Sequence, residues 1–118
     1  MNSPLETIEA YVEATRRGDV ATLQTLFAPT ALMSGYFQGE FYSGTPEPFY
    51  DEMRDNPSAA ESGEPYSGDI IHIEIYDAIA QVTVKEKSYL GFDLVNLFHL
   101  ARIDDRWLIL SKMYIEDE

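Results

Sequence analysis

The chain has no cysteine, which removes disulfide bonds, thiol nucleophiles and cysteine metal sites together. Basic side chains are scarce: 8 Lys and Arg stand against 21 Asp and Glu, giving a formal net charge of −13. Such an excess repels phosphate, so neither nucleic acid nor an anionic membrane is expected as a partner. Histidine is limited to His72 and His99. No His/Asp/Glu set has zinc-ligand spacing, and no metal or cofactor is expected. Ser3, Ser34, Ser43, Ser88 and Ser111 have no glycine-flanked elbow, and no glycine-rich phosphate loop occurs. Residues 20–39 carry no formal charge, yet Gln24, Pro29, Ser34 and Gln38 make them too polar for a membrane span. The opening Met-Asn-Ser-Pro-Leu-Glu has neither the basic nor the apolar region of a signal peptide, so the expected location is cytoplasmic.

What is present is a folding composition: 45% hydrophobic residues, with eight Tyr, six Phe and one Trp. At 118 residues the expectation is one domain spanning 1–118. Ser3-Pro4-Leu5-Glu6 reads as a helix start, with Ser3 as cap, proline at the first position and Glu6 able to bond back. Leu5, Ile8, Val12 and Thr15 recur at helical spacing, and Tyr11 lies beside that stripe. Gly18 ends this helix and Asp19 caps a second, whose apolar side is Val20, Leu23, Leu26 and Phe27 until Pro29 stops it. Gln38-Gly39 forms a turn, and Thr45-Pro46-Glu47 opens a third helix with Phe49, Tyr50 and Met53 inward. Residues 56–68 read as the one long loop.

From Asp69 onward the period becomes two. A turn at residues 77–78 pairs Ile75 with Ala80, Ile73 with Val82 and Ile71 with Val84, placing both apolar sets on one face. A further strand runs from about Phe92 to Ile103, and Asp104-Asp105 turns the chain into Trp107 and a last strand. Residues 94–101 are apolar at both parities, so both faces of that strand need cover. One face looks inward. For the outer face a second subunit is the simplest cover, the chain's own loop at 56–68 being the alternative, and an isologous homodimer through the outer sheet face is expected.

This order of helix, Gly-Asp break, helix, Phe27-Ala28-Pro29, short strands, third helix and four antiparallel strands resembles the nuclear-transport-factor-2-like superfamily, the SnoaL-like and ketosteroid-isomerase-like cones. Three stretches are similar to its putative lumazine-binding group: residues 18–29, residues 56–66, and the closing run Ile103-Asp-Asp-Arg-Trp-Leu-Ile-Leu-Ser-Lys112. That run resembles an Asp-Gly-x-Trp turn with a lysine five residues after the tryptophan, except that Asp105 replaces the glycine. The resemblance implies an α+β cone, with N-terminal helices packed on a strongly curved, mostly antiparallel sheet. The fold hosts isomerases, cyclases, dehydratases and binding proteins, so it does not fix the chemistry.

Tyr11 lies where ketosteroid isomerases of the superfamily carry a hydrogen-bond-donating tyrosine; it can polarise a carbonyl or simply belong to the core. The carboxylates of that mechanism are missing: residues 32–37 contain none, and the acid position falls at Asn96. Asn96 can orient a ligand or bond to Tyr11. The expected lining of the cone comprises Tyr11, Phe27, Tyr36, Tyr50 and Met53 from the first half of the chain. Asn96 and Phe98 join it from the penultimate strand, and Met113 and Ile115 by unbroken parity with Trp107 and Ile109. The leading expectation is a small apolar or aromatic ligand held in this cavity. Alternatives are an isomerase or cyclase using Tyr11 and Asn96 as donors, and a non-catalytic structural or interaction module.

Overall fold

The computed structural model describes residues 2–117. Helix α1 (Pro4–Arg17) begins as its sequence dictates: the Glu6 amide donates to Ser3 Oγ at 3.1 Å. It ends at Gly18, whose φ of 68° carries the chain through the left-handed region while its N–H reaches the carbonyls of Ala14 and Thr15. The buried face of α1 is Thr7, Ile8, Tyr11, Ala14 and Thr15. The stripe is thus turned from its expected position, and Leu5 is left exposed. The Thr7 hydroxyl donates to the Trp107 carbonyl at 2.8 Å and ties the helix to the end of the chain.

Asp19 caps α2 (Val20–Leu26), accepting from the Thr22 amide at 3.1 Å and the Thr22 hydroxyl at 2.6 Å. This helix ends before Phe27, which opens strand β1 (Phe27–Phe37) instead of closing a helical face. Pro29 therefore lies within the strand, where the register against the last strand shifts between Phe27 and Leu32. Strands accept proline at such irregular positions. A tight turn at Gln38-Gly39 leads into β2 (Glu40–Gly44), and α3 (Glu47–Asp55) buries Phe49, Tyr50 and Met53 as expected. Residues 56–68 are more ordered than a loop. They contain α4 (Ala59–Ser62), closed by a capping box between Ser58 and Glu61, and the first two residues of β3.

Strands β3 (Ser67–Tyr76), β4 (Ile79–Tyr89), β5 (Phe92–Ile103) and β6 (Arg106–Glu116) follow. The sheet order is β2-β1-β6-β5-β4-β3, antiparallel throughout except for the parallel pair β1 and β6. The β3–β4 hairpin pairs Ile75 with Ala80 and Ile73 with Val82 as expected. A register shift after Ile70 puts Ile70, not Ile71, opposite Val84. Asp104 and Asp105 both adopt positive φ, 50° and 63°, so the β5–β6 hairpin turns without a glycine.

One irregularity positions the site. On β6, Ile109 faces Leu100 and Ser111 faces His99, leaving Leu110 unpaired in a β-bulge. Trp107 and Ile109 are buried on the inner face, but beyond Leu110 the parity reverses. Lys112 then points inward at 4% exposure, while Met113 and Ile115 are 56% and 52% exposed. The inner face meets the helices through Ile8, Tyr11, Val82 and Phe98, with the Tyr11 and Phe98 rings edge to face at 4.9 Å.

Candidate functional site

A hollow of about 250 Å³ lies between α3 and the inner face of the sheet. Met33 and Phe37 of β1, Tyr42 of β2, Leu94 of β5 and Tyr114 of β6 supply sheet-side walls; Pro48, Phe49 and Glu52 of α3 and Tyr89 at the end of β4 complete it. Pro48 and Glu52 are exposed and mark the mouth. Gly35 makes room for this arrangement. It pairs with Tyr114, and a Cβ there would fall 2.7 Å from the Tyr114 ring and 2.1 Å from its carbonyl oxygen.

Lys112 is the one basic side chain of the wall. Its Nζ donates to the Tyr11 hydroxyl oxygen at 2.7 Å and stands 4.2 Å from the centre of the Phe49 ring. Burial lowers the Lys112 pKa, since the charged form loses its water; the Glu86 and Glu52 carboxylates pull the other way. Burial likewise pushes the Tyr11 phenol well above its ordinary value, with the Glu86 charge adding to it. At the mouth the Tyr89 hydroxyl donates to Glu52 at 2.6 Å, and burial, then the Glu52 charge, raises the Tyr89 pKa.

Deeper in the core, Glu86 of β4 is 1% exposed and accepts hydrogen bonds from the Tyr66 hydroxyl and the Asn96 amide. Tyr66 is raised by burial and by Glu86. Asn96 Oδ1 and Thr15 Oγ1 have no hydrogen-bond partner among the described residues. The inner face therefore carries a cationic or amine group, a carboxylate and several phenols within an aromatic shell. Charged groups so desolvated are held only by specific partners.

The structure redistributes the sequence-derived lining set. Tyr11 is fully buried and reaches the hollow through Lys112. Phe27, Tyr50 and Phe98 are core residues packed around it. Met53 lines a separate, far smaller crevice with Thr15, Ser58 and Tyr66. Asn96 faces inward as expected, but its partner is Glu86, so it is neither a lone amide nor bonded to Tyr11. Tyr36, Met113 and Ile115 are corrections. All three lie on the outer face and are exposed, Tyr36 by strand alternation from Met33 and the other two by the β6 bulge. Sequence reasoning missed Lys112 and Glu86 as site groups. Lys112 was visible as the closing lysine of a motif; Glu86 sits among Lys85 and Lys87 and gave no signal of burial. His72 lies 3.1 Å from Glu74, with which it shares the outer face, and His99 is exposed. Among the described residues no group of three or more His, Asp or Glu could hold a metal ion, and no helix is long and apolar enough to cross a membrane.

Comparison with known proteins agrees with this architecture. Two solved structures of nuclear-transport-factor-2-like proteins of unknown function are close in shape. One, from Methylobacillus flagellatus KT, has a TM-score of 0.87 at 23% identity and covers 97% of this chain and 89% of its own. The other, from Silicibacter pomeroyi DSS-3, has a TM-score of 0.85 at 23% identity, covering 96% and 92%. A protein named aldolase FrzH, from a Cladobotryum species, is 26% identical over 110 residues, which is 93% of this chain and 86% of that protein. Residues 3–115 match the profile of the family described as putative lumazine-binding. The chain therefore belongs to this family, and its fold is that of the nuclear-transport-factor-2-like structures.

Proposed function

We propose that the protein binds a small, largely aromatic or apolar molecule bearing a polar group, in the hollow between α3 and the sheet. The observation that carries this reading is the single amine, Lys112 Nζ, set in a wall otherwise dominated by apolar and aromatic side chains. Apolar walls with a few converging polar groups are the common form of small-molecule sites. The volume, about 250 Å³, is small for such sites, and suits a ligand of one or two rings. The family description supports the same size of ligand, since a lumazine is a bicyclic ring system.

Native mass spectrometry of freshly purified protein, followed by titration with lumazine and with benzaldehyde, tests the reading. Retention or saturable uptake of a small molecule is expected, lost when Leu94→Trp fills the hollow. Protein that retains nothing and takes up neither probe would overturn it.

A second reading, an enzyme, draws on two observations: the buried amine of Lys112 and the aldolase name of the FrzH relative. The ketosteroid-type mechanism has no support here, because Asn96 is committed to Glu86 and no carboxylate stands on β1.

We also propose assembly as a homodimer through the outer sheet face. Tyr36, Phe41, Leu97, Met113 and Ile115 are all exposed there, with no charged side chain lining the groove they form. A second copy is the fitting occupant: in a chain of net charge −13, an uncharged groove is where two copies can approach with least repulsion. Light scattering is expected to give twice the chain mass; a monomer at high concentration would end the proposal.

A further inference from the structure

The cavity-binding reading leaves open why an amine should be buried in an aromatic wall. A cation there loses hydration that its partners only partly replace. A solvated lysine at the mouth would attract an anionic ligand at lower cost. What burial does supply is a neutral amine, and a desolvated lysine is the usual form of a carbonyl-capturing nucleophile.

We infer that Lys112 captures an aldehyde or ketone carbon of the bound ligand as a reversible protonated imine, an inference that rests on the ligand occupying the hollow proposed above. Three features of the site fit the chemistry. First, Nζ donates to the Tyr11 oxygen at 2.7 Å, which fixes the nitrogen while a neutral amine keeps its lone pair for attack. Second, the rings of Phe49 and Tyr114 have their centres 4.2 and 5.8 Å from Nζ, while Tyr11 meets it through its hydroxyl. Ring faces favour a cation, and the iminium product is a cation that forms without an added anion. Third, Glu52, bonded by Tyr89, lines the same hollow at its mouth, where protons exchange with water.

The step balances as follows. The Nζ lone pair bonds to the carbonyl carbon, and the carbonyl π electrons move to oxygen. A proton leaves nitrogen and one reaches oxygen, giving the neutral carbinolamine. A further proton, drawn from solvent through the Glu52–Tyr89 pair, lets that oxygen depart as water while nitrogen forms the C=N bond. The net change is amine, carbonyl compound and one proton giving iminium and water. No oxidant or reductant is involved.

The titratable groups around Lys112 are Tyr11 from α1, Tyr42 from β2, Glu52 from α3, Glu86 and Tyr89 from β4 and Tyr114 from β6, and of these the Glu86 and Glu52 charges favour its protonated form. Burial outweighs the two carboxylates and moves the nitrogen toward its neutral form.

The chain carries its own controls, because its three lysines are Lys85, Lys87 and Lys112, and only the last is buried. The intact protein is incubated with benzaldehyde and sodium cyanoborohydride near neutral pH, which reduces an iminium to a stable benzylamine, and the modified lysines are mapped by peptide mass spectrometry. Lys112 is expected to be modified at least about tenfold faster than Lys85 or Lys87, because the hollow holds the aldehyde beside its nitrogen and burial favours the neutral amine. The rate should saturate with benzaldehyde and fall when benzyl alcohol competes. Benzaldehyde uptake in native spectra with no preference for Lys112 would overturn the imine and leave the binding site standing. Neither uptake nor adduct would remove both. Lys112→Met, matched for length and apolar in place of the amine, gives a second check: if circular dichroism shows it folded, its benzaldehyde uptake should become wholly non-covalent.

Discussion

Lys112 Nζ donates to the Tyr11 hydroxyl oxygen across 2.7 Å, joining residues 101 positions apart in the chain and linking the first helix to the last strand. Tyr11→Phe removes that acceptor while leaving the ring packing. A loss of about 1–3 kcal/mol is expected in urea unfolding, the usual range for an orphaned buried polar group. A double-mutant cycle with Lys112→Met should recover a coupling of about 0.5–3 kcal/mol; a cycle that sums to zero would mean the pair contributes nothing as a pair.

The depressed Lys112 pKa fixes a sign for the pH dependence of stability. Between the lowered folded value and the unfolded value of 10.5, the unfolded chain binds more protons at this residue, so its contribution improves as pH rises. Below the folded value the contribution is flat and unfavourable. Tyr11, Tyr66 and Tyr89 are shifted upward and act oppositely, losing stability as pH climbs past the ordinary tyrosine range near 10. The Lys112 effect is therefore read below about pH 9. Thermal melts of the wild type should show it as a rising limb that Lys112→Met flattens.

Glu86 accepts from both Tyr66 and Asn96, so its removal strands two buried donors. Glu86→Ala should cost about 2–6 kcal/mol, counting about 1–3 for each. Glu86→Gln keeps the shape and one acceptor oxygen, and should cost less than half as much in the same denaturant titration. Equal losses would point to packing as the cause.

Gly35→Ala should displace Tyr114, because the new methyl would meet its ring and carbonyl. The expected cost is about 1–3 kcal/mol, as for other overpacked sites. Weakened uptake of lumazine or benzaldehyde should accompany it, since Tyr114 forms part of the cavity wall. Full stability together with unchanged uptake would show that the strand pair yields without cost.

Leu97→Asp places a charge at the centre of the exposed outer face, beside Met113. Sedimentation should then report a monomer with unaltered circular dichroism, whereas a persisting dimer would locate the contact elsewhere.

How much of this was legible depended on whether periodicity stayed intact. Ser3, Gly18 and Asp19 act locally, and their helix boundaries followed from residue type alone. The 77–78 turn fixed the register of Ile73 and Ile75 because the alternation there is unbroken. On β6, Leu110 interrupts the alternation without any glycine or proline to announce it. Strand residues beyond a bulge exchange faces, which is why Met113 and Ile115 were expected inside and Lys112 was not. Glu86 was hidden for another reason. Its burial depends on Tyr66 and Asn96, 20 and 10 residues away, and no local pattern encodes such a partnership.

The parallel pairing of β1 with β6 also has a consequence for biosynthesis. Without β6 the sheet order falls into two pieces, the β2-β1 hairpin and the β5-β4-β3 meander, with no ladder between them. A nascent chain on the ribosome can form each piece but cannot join them until the strand carrying Lys112 has left the exit tunnel. Until then the Tyr11 helix and its apolar underside have no closed core to cover, an interval in which long-range β topologies are exposed to aggregation and to chaperones.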